Sequence, residues 1–111
     1  MKIEKANFFV RSKIWIVDSQ GEVIFGLGRY RILDAIRRTG SMYAAAKELR
    51  MSYRAVWMRI RLSEKRMGKE LIVRNGNGSH LTPFAENMMK QYRRLQSLVK
   101  TETDEVYKSL M

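Results

Sequence analysis

Apolar or small residues recur at helical spacing in the middle of the chain. After Ser52 they are separated by four, three and four positions and share one face of a predicted helix: Val56, Ile60, Ser63 and Met67. The opposite face is basic apart from one methionine and comprises Arg54, Met58, Arg61 and Lys65. Ser52 is a suitable N-cap and Gly68 a suitable C-terminal stop. The pattern predicts a helix with one buried face and one cationic face.

A shorter helix is predicted directly before it, from Met42 to Leu49. This segment contains three consecutive alanines, and Ser41 is its expected N-cap. Arg50 and Met51 then make a tight turn. Two helices joined in this way, over residues 41–68, are typical of a helix-turn-helix. In that motif the second helix enters the major groove of DNA and the first crosses the backbone.

The N-terminal part of the chain predicts strands rather than helices. Phe8 to Val17 is dense in aromatic and β-branched residues, and Asp18 to Gly21 has the composition of a turn. Glu22 to Phe25 then returns as a second strand, so we expect a β-hairpin over residues 8–25.

Both faces of this hairpin carry large apolar side chains. Ile14 and Ile16 fall on one face, and Trp15 and Val17 fall on the other. An exposed hairpin normally has one polar face. The hairpin is therefore either sandwiched in the core or in contact with a partner chain on one side.

Two further elements flank the helix-turn-helix. A helix is predicted before it, from about Arg29 to Arg38. After it, a short strand at residues 71–73, a glycine-rich loop at residues 74–80 and Leu81 predict a second hairpin. This hairpin, over residues 71–82, has the position of a wing, which lies along the DNA backbone or in the minor groove.

A long helix is predicted for residues 83–111, with Thr82 as its cap and Pro83 in its first turn. It would reach about 25 residues and about 38 Å. An apolar stripe follows it: Phe84, Met88, Tyr92, Leu95, Val99 and Val106. Residues 1–82 would form a winged domain that covers only part of this stripe, and soluble monomers rarely expose such a patch. We therefore expect the chain to form a homodimer, with residues 83–111 as its dimerisation helix.

Charge narrows the class of partner. The chain has 111 residues, 45% of them apolar, which suits one globular domain with a modest core. Lys and Arg number 22 against 11 Asp and Glu, and the net charge is +11. Residues 50–69 hold seven of the basic residues and one acid, Glu64. Such an imbalance favours a polyanion such as nucleic acid.

Enzymatic, metal and membrane functions are not expected. The chain has no cysteine and one histidine, His80, so neither a zinc site nor a nucleophile with a positioned base is indicated. The eight methionines are typical of core filler. No apolar run approaches the about 20 residues that span a bilayer, and the N-terminus lacks the apolar core of a signal peptide. We expect no cofactor, no membrane contact and a cytoplasmic location.

Five short segments carry a resemblance to a known family: Gly26–Arg29, Thr39–Ser41, Ala44–Leu49, Met51–Trp57 and Leu81–Phe84. Over residues 8–100 the chain resembles the N-terminal DNA-binding domain of ModE-type molybdate-responsive transcription regulators, which are close kin of the LysR-type winged helix. The resemblance implies a mainly α fold with small β: a winged helix-turn-helix with an N-terminal β-hairpin and a long C-terminal helix. It also implies sequence-specific binding of double-stranded DNA by a homodimeric transcription regulator.

The chain departs from that family in three places. The family often has glycine at the position of Arg50, where the turn needs a left-handed backbone. Its wing is usually longer and richer in glycine. Regulators of this type carry molybdate-binding domains after the DNA-binding domain, whereas this sequence ends at Met111. We therefore expect a ModE-like regulator that lacks molybdate sensing of its own.

The DNA-contact candidates come from the helix starts, the second helix and the wing: Ser41, Ser52, Tyr53, Arg54, Trp57, Met58, Arg61, Lys65, Arg74, Asn75, Asn77, Ser79 and His80. Arginine pairs bidentately with guanine, so Arg54 and Arg61, with Met58 between them, are the base-facing candidates. The alternative for each is a phosphate contact or plain solvation.

The other candidates have alternatives as well. Ser52 and Tyr53, at the helix start, are expected at phosphate or sugar. Trp57 lies at the border of the two helix faces and either packs against the core or meets DNA. The wing residues either contact the DNA backbone or belong to an ordinary mobile loop.

The dimerisation candidates combine the first hairpin with the final helix: Trp15, Ile16, Met88, Tyr92, Leu95, Val99 and Val106. One alternative function is a protein-interaction module, in which the final helix pairs with a separate effector-binding sensor subunit. Another is binding of RNA or a membrane surface by the basic faces. The helix-turn-helix pattern favours DNA over both.

Overall fold

The computed structural model describes residues 9–110. The first part of the chain holds β1 (Ile16–Val17), β2 (Val23–Phe25) and α1 (Leu27–Thr39). The helix-turn-helix follows as α2 (Met42–Glu48) and α3 (Tyr53–Met67). The wing comprises β3 (Ile72–Asn75) and β4 (Gly78–Leu81), and α4 (Pro83–Leu110) ends the described chain. No helix within residues 9–110 is both long enough and apolar enough to cross a membrane.

Side-chain caps fix where three of the helices begin. Each hydroxyl accepts a hydrogen bond from the backbone N–H three residues on: Ser41 from Ala44 at 3.1 Å, Ser52 from Ala55 at 3.0 Å, and Thr82 from Ala85 at 3.1 Å. Gly40 and Gly68 end α1 and α3 in the left-handed conformation, with φ of 70° and 67°. The caps expected from the sequence at Ser41, Ser52, Thr82 and Gly68 are therefore confirmed.

The core lies where α1, α2 and α3 meet the two hairpins and the start of α4. Its fully buried residues come from six elements or their junctions and include Phe25, Leu33, Ile36, Ala45, Val56, Ile60, Leu71 and Met89. On α3, Val56, Ile60 and Ser63 are at most 2% exposed, and Met67 packs against the same cluster. The predicted buried face of this helix is confirmed.

The N-terminal hairpin is shorter than the sequence predicts. Only Ile16 and Val17 pair with β2, and the register is irregular between them. Residues 9–15 lie outside any strand, and Phe8 falls outside the described residues. The segment 11–13 is polar, so it has no apolar alternation with which to extend a half-buried strand.

The faces of this hairpin have different environments. Ile14 and Ile16 pack against the core, whereas Trp15 is 54% and Val17 45% exposed. Of the two alternatives left by the sequence, the sandwiched hairpin is wrong. The Trp15 face remains open within the described protomer.

α1 is held to its neighbours by arginines. The Nε of Arg29 donates to the Oγ of Ser63 on α3 at 2.7 Å. Burial, together with Arg59 and Arg66 nearby, lowers the pKa of the Arg29 guanidinium. Arg38 bonds Asp34 on its own helix and Glu48 at the end of α2, and these bonds lower the pKa of both carboxyls.

α4 is 28 residues long, and its first turns belong to the core. Ala85, Met89 and Tyr92 are at most 1% exposed. Beyond Tyr92 the described helix has no fully buried residue. The molecule measures 66 × 32 × 21 Å with a radius of gyration of 17.8 Å, against about 13 Å for a compact domain of this length. The second half of α4 therefore projects from the domain.

Candidate nucleic-acid interface

The exposed face of α3 carries the residues expected there. Arg54, Met58, Arg61 and Lys65 are all exposed, with Met58 at 51%. Because the opposite face is locked in the core, these side chains point away from the domain as a group. The helix begins immediately after the Ser52 cap and has no acidic residue in its first turn. Its N-terminal end therefore combines cationic side chains with the positive end of the helix dipole.

Arg61 is held in place by two neighbours on its own helix. Its Nη1 donates to Oε1 of Glu64 at 2.9 Å, and its guanidinium lies 5.6 Å from the centre of the Trp57 ring. Trp57 is 39% exposed, so it is partly packed and partly accessible. The structure thus places Trp57 at the border of the two faces, beside a base-facing candidate.

Sequence reasoning missed the role of Glu64. It is only 8% exposed, and its Oε2 accepts hydrogen bonds from the backbone N–H groups of Leu71 at 2.8 Å and Ile72 at 3.3 Å. This carboxylate therefore ties the end of α3 to the start of the wing while its other oxygen holds Arg61. The available signal was a single acid in a basic run, three residues after an arginine.

The turn between α2 and α3 depends on a strained residue. Arg50 has φ of 56° and is the non-glycine residue with positive φ among residues 9–110. Its N–H bonds the carbonyl of Lys47 at 3.2 Å, and Met51 N–H bonds Ala46 at 2.9 Å. The left-handed backbone expected at this position is confirmed, at a cost of about 1 kcal/mol relative to glycine.

The wing is a tight hairpin rather than a long loop. β3 and β4 pair in register from Ile72–Leu81 to Asn75–Gly78, which leaves a two-residue turn at Gly76 and Asn77. The Asn75 side chain accepts from Asn77 N–H at 2.8 Å and stabilises that turn. Gly76 lies in the turn and Gly78 begins β4, so most of the residues expected in a loop continue the strands.

The wing candidates separate into exposed and buried residues. Arg74, Asn75, Asn77 and His80 are exposed, as a backbone contact requires. Ser79 is only 5% exposed, and its N–H donates to the carbonyl of Gly40 at 3.0 Å. Its expected DNA contact is wrong, because Ser79 faces the end of α1 and attaches the wing to the domain.

Gly78 is required where the wing meets α1. Its φ is +112°, and a Cβ there would collide with the carbonyl oxygen of Gly40. Gly78→Ala is therefore expected to destabilise the domain by about 1–3 kcal/mol through the backbone conformation alone. Gly76→Ala is the matched control, since a Cβ there meets nothing within 4 Å. Thermal unfolding compares the two, and equal melting temperatures would contradict this role of Gly78.

A cluster that the sequence did not indicate lies between the helix-turn-helix and the wing. The rings of Tyr43 and Tyr53 are 5.5 Å apart, and the Arg74 guanidinium lies 6.0 Å from the Tyr53 ring. They border a cleft of about 410 Å³ that Ser41 also lines. Tyr43 is 74% exposed and was not among the candidates. Only the fold brings these three elements together, so spacing in the sequence gave no signal.

The dimerisation candidates are distributed over different environments. Trp15, Leu95 and Val106 are 54%, 40% and 59% exposed, and Val99 is half-buried. Ile16 and Met88 pack against the core. These residues, except the two in the core, remain available to a second chain.

Tyr92 is a correction to that set. It is 1% exposed, its ring packs against Phe25 at 5.2 Å, and its hydroxyl donates to the Ile14 carbonyl at 2.7 Å. Burial raises the pKa of this hydroxyl. Tyr92 therefore completes the protomer core, and Leu98, 60% exposed, is an additional apolar residue on the projecting half of α4.

Two bacterial proteins with names that refer to molybdenum are similar in sequence to this chain. The molybdenum transport protein ModE of Azotobacter vinelandii is 32% identical over 87 residues, covering 74% of this chain and 32% of that protein. The molybdenum-pterin-binding protein MopB of Rhodobacter capsulatus is 31% identical over 90 residues, covering 77% and 33%. The chain thus spans about a third of the length of these relatives.

The fold has solved counterparts. A crystal structure of a CbnR_DBD–DNA complex superposes with a TM-score of 0.62 at 23% identity, covering 78% of this chain and 100% of that chain. This likeness confirms the winged helix-turn-helix fold. The family model for bacterial regulatory helix-turn-helix proteins of the lysR family matches residues 27–86, from α1 through the wing into α4. The chain therefore belongs to the lysR family of bacterial regulatory helix-turn-helix proteins and carries a DNA-binding domain of that family.

Proposed function

We propose that this chain binds double-stranded DNA sequence-specifically as a homodimer and regulates transcription in the bacterial cytoplasm. The observation that carries the proposal is the geometry of α3. One face is locked in the core by Val56 and Ile60, and the other presents Arg54, Met58, Arg61 and Lys65 together. A helix of this kind, preceded by α2 and the Arg50 turn, enters the major groove with its exposed face toward the bases.

Two arginines are proposed to read bases. Arg54 lies in the first turn of α3, nearest to the groove floor in this docking mode. Arg61 lies two turns later, and one of its nitrogens is engaged by Glu64. Its remaining donors stay available for guanine O6 and N7, and the Glu64 and Trp57 contacts restrict its orientation before DNA arrives.

Contacts to the DNA backbone are proposed to orient the domain. Ser41, Ser52 and Tyr53 lie at the starts of α2 and α3, and Lys65 lies farther along the exposed face of α3. In the wing, the exposed side chains of Arg74, Asn75, Asn77 and His80 take this role. Such contacts carry no base information but set affinity and its dependence on salt.

The dimer is proposed on the projecting half of α4. Leu95, Leu98, Val106 and Leu110 are between 40% and 77% exposed along a helix segment that leaves the domain. A second copy of the chain covers this surface by a two-fold contact that uses the same patch twice. It also places two copies of α3 on successive turns of one DNA face.

An effector is proposed to act through a site separate from residues 27–86. ModE of Azotobacter vinelandii and MopB of Rhodobacter capsulatus are named for molybdenum, and the match covers only about a third of their length. Residues 27–86 account for α1, the helix-turn-helix and the wing, which the proposal assigns to DNA. A separate effector-binding protein or domain would then control the DNA-binding unit.

Alanine variants test whether α3 reads bases. Arg54→Ala and Arg61→Ala are each expected to cost about 1–3 kcal/mol on a preferred duplex and to relax preference at one base pair. Fluorescence anisotropy with the preferred duplex and its single-base variants measures this. Arg94→Ala, an exposed arginine on α4, is the charge-matched control. Equal losses on every duplex would make the two arginines phosphate contacts and would overturn base reading by α3.

A further inference from the structure

We infer that Tyr43, Tyr53 and Arg74 form a single binding site for one DNA phosphodiester. This inference rests on the proposed DNA binding and adds Tyr43 as a contact residue. The site would make the helix-turn-helix and the wing hold the same stretch of backbone, with the phosphate oxygens on the three polar groups and the deoxyribose against the tyrosine rings.

Three separate elements bring these side chains together. Tyr43 lies in the first turn of α2, Tyr53 is the first residue of α3, and Arg74 lies in β3 of the wing. The two rings are 5.5 Å apart and inclined by 33°, and the Arg74 guanidinium is 6.0 Å from the Tyr53 ring. The arrangement depends on the docking of the wing against α1, because Ser79 N–H bonds the carbonyl of Gly40, the residue before Ser41.

The chemistry of the cluster suits an anion with several acceptor oxygens. Two phenol hydroxyls and one guanidinium offer only hydrogen-bond donors to a phosphate, which can only accept. Within residues 9–110 no carboxylate lies within 4.0 Å of the Arg74 guanidinium, and neither phenol hydroxyl has a hydrogen-bond partner. The cation and both hydroxyls are therefore available to a ligand.

The accessibility of the cluster also indicates a ligand of extended shape. Tyr43 is 74% exposed, so its ring contributes little to the core. The cleft beside it has a volume of about 410 Å³, and Ser41 and Asn75 also line it. In the proposed docking, the DNA strand that passes the start of α3 runs beside this cleft. The α3 N-terminus, which has no acidic residue in its first turn, favours a phosphate at the same place.

A purely structural role of Tyr43 would give a different result on removal of its hydroxyl. If the cluster of the two rings and Arg74 only attaches the wing to the helices, removing the Tyr43 hydroxyl changes nothing, because that hydroxyl has no partner within the described residues. Tyr43→Phe keeps the ring and removes the proposed phosphate donor. It therefore separates the two roles without altering the packing with Tyr53.

The test is a double-mutant cycle between the protein and the DNA backbone. A duplex selected by the wild-type chain is prepared with a neutral methylphosphonate at one position at a time. Affinities are measured by anisotropy for the wild type, Tyr43→Phe and Arg74→Ala, and melting temperatures are measured in parallel. Tyr107→Phe, on the distant half of α4, serves as the control for loss of a tyrosine hydroxyl.

We expect Tyr43→Phe to weaken binding by about two- to tenfold on all duplexes, with an unchanged melting temperature and unchanged base preference. Arg74→Ala should also reduce the salt slope by about one. At one phosphate in each half-site, the methylphosphonate should weaken the wild type but leave both variants unaffected.

Two results would overturn the shared site. The first is binding by Tyr43→Phe that equals that of the wild type, and the second is a response of the two variants to different phosphates. A wild-type chain that binds no duplex at all would instead refute the proposed function. The two failures are therefore distinguishable.

Discussion

Ile60→Ala is expected to lower the free energy of unfolding by about 2–5 kcal/mol, the range for a large-to-small change in a packed core. Ile60 is 2% exposed on the buried face of α3, within the same cluster as Val56, Leu33 and Ile36. Loss of its side chain leaves a cavity in the core beneath α3. The exposed face of α3 would lose its fixed orientation at the same time, because the buried face sets that orientation.

Thermal unfolding measures this effect. For a domain of this size, each 1 kcal/mol corresponds to a shift in melting temperature of about 4–8 °C. Met58→Ala is the matched control, since Met58 lies on the opposite face of α3 and is 51% exposed. It should change the free energy of unfolding by no more than about 0.5 kcal/mol. Equal melting temperatures for Ile60→Ala and the wild type would show that this face of α3 does not hold the domain together.

Leu95→Glu and Val99→Glu are expected to separate the homodimer and to weaken binding of a two-site duplex by about 10²–10⁴-fold, the gain that linked binding provides. Both residues lie where α4 leaves the domain, and Leu95 is 40% exposed. A carboxylate placed in a two-fold contact faces its own copy, so repulsion adds to the loss of apolar burial. The fold should persist, because neither side chain is in the buried core.

Sedimentation at micromolar concentration measures whether the homodimer separates. The wild type should sediment at about twice the chain mass of 13.1 kDa, and the two variants at the mass of one chain. Ser97→Glu provides the control for added charge, since Ser97 is exposed and lies roughly opposite Leu95 and Val99 on the helix. A wild-type monomer would contradict the dimer, and dimeric variants would place its interface elsewhere.

The helix-turn-helix could be predicted from the sequence because local signals agree there. The serine caps, the glycine stops and the spacing of Val56, Ile60, Ser63 and Met67 all indicate the same two helices. The caps, the stops and the spacing depend on short-range physics, which a sequence displays directly. The left-handed backbone of Arg50 was expected from the family resemblance instead, because the family often has glycine at that turn position.

The elements that the sequence predicted poorly depend on tertiary contacts. The strand expected from Phe8 is reduced to Ile16–Val17, because only that part reaches β2. Tyr92 continues the apolar stripe of α4, yet its ring packs in the protomer core against Phe25. A helical stripe shows which residues are covered but does not distinguish the domain from a partner chain.

Residues of the candidate DNA interface were also hard to predict from the sequence, because their exposure depends on tertiary contacts. Ser79 and Arg74 are both polar wing residues. Ser79 is buried where its backbone contacts Gly40, whereas Arg74 is exposed. Glu64 gains its role from backbone groups at the start of the wing, and Tyr43 gains its role from Tyr53, which Arg74 of the wing contacts. Exposure and pairing of this kind require the packed structure, so a candidate set drawn from sequence includes some buried residues and omits some exposed ones.

Selection of DNA by the full chain from a random-sequence duplex pool, followed by sequencing, tests sequence-specific binding by a two-fold pair most directly. We expect enrichment of a palindrome whose half-sites lie one helical turn, or about 10–10.5 base pairs, or a multiple of that spacing apart. The same selection with Arg54→Ala or Arg61→Ala should lose preference at one position in each half-site. Binding that enriches no sequence and is lost uniformly as salt rises would contradict both base reading by α3 and the role of the homodimer.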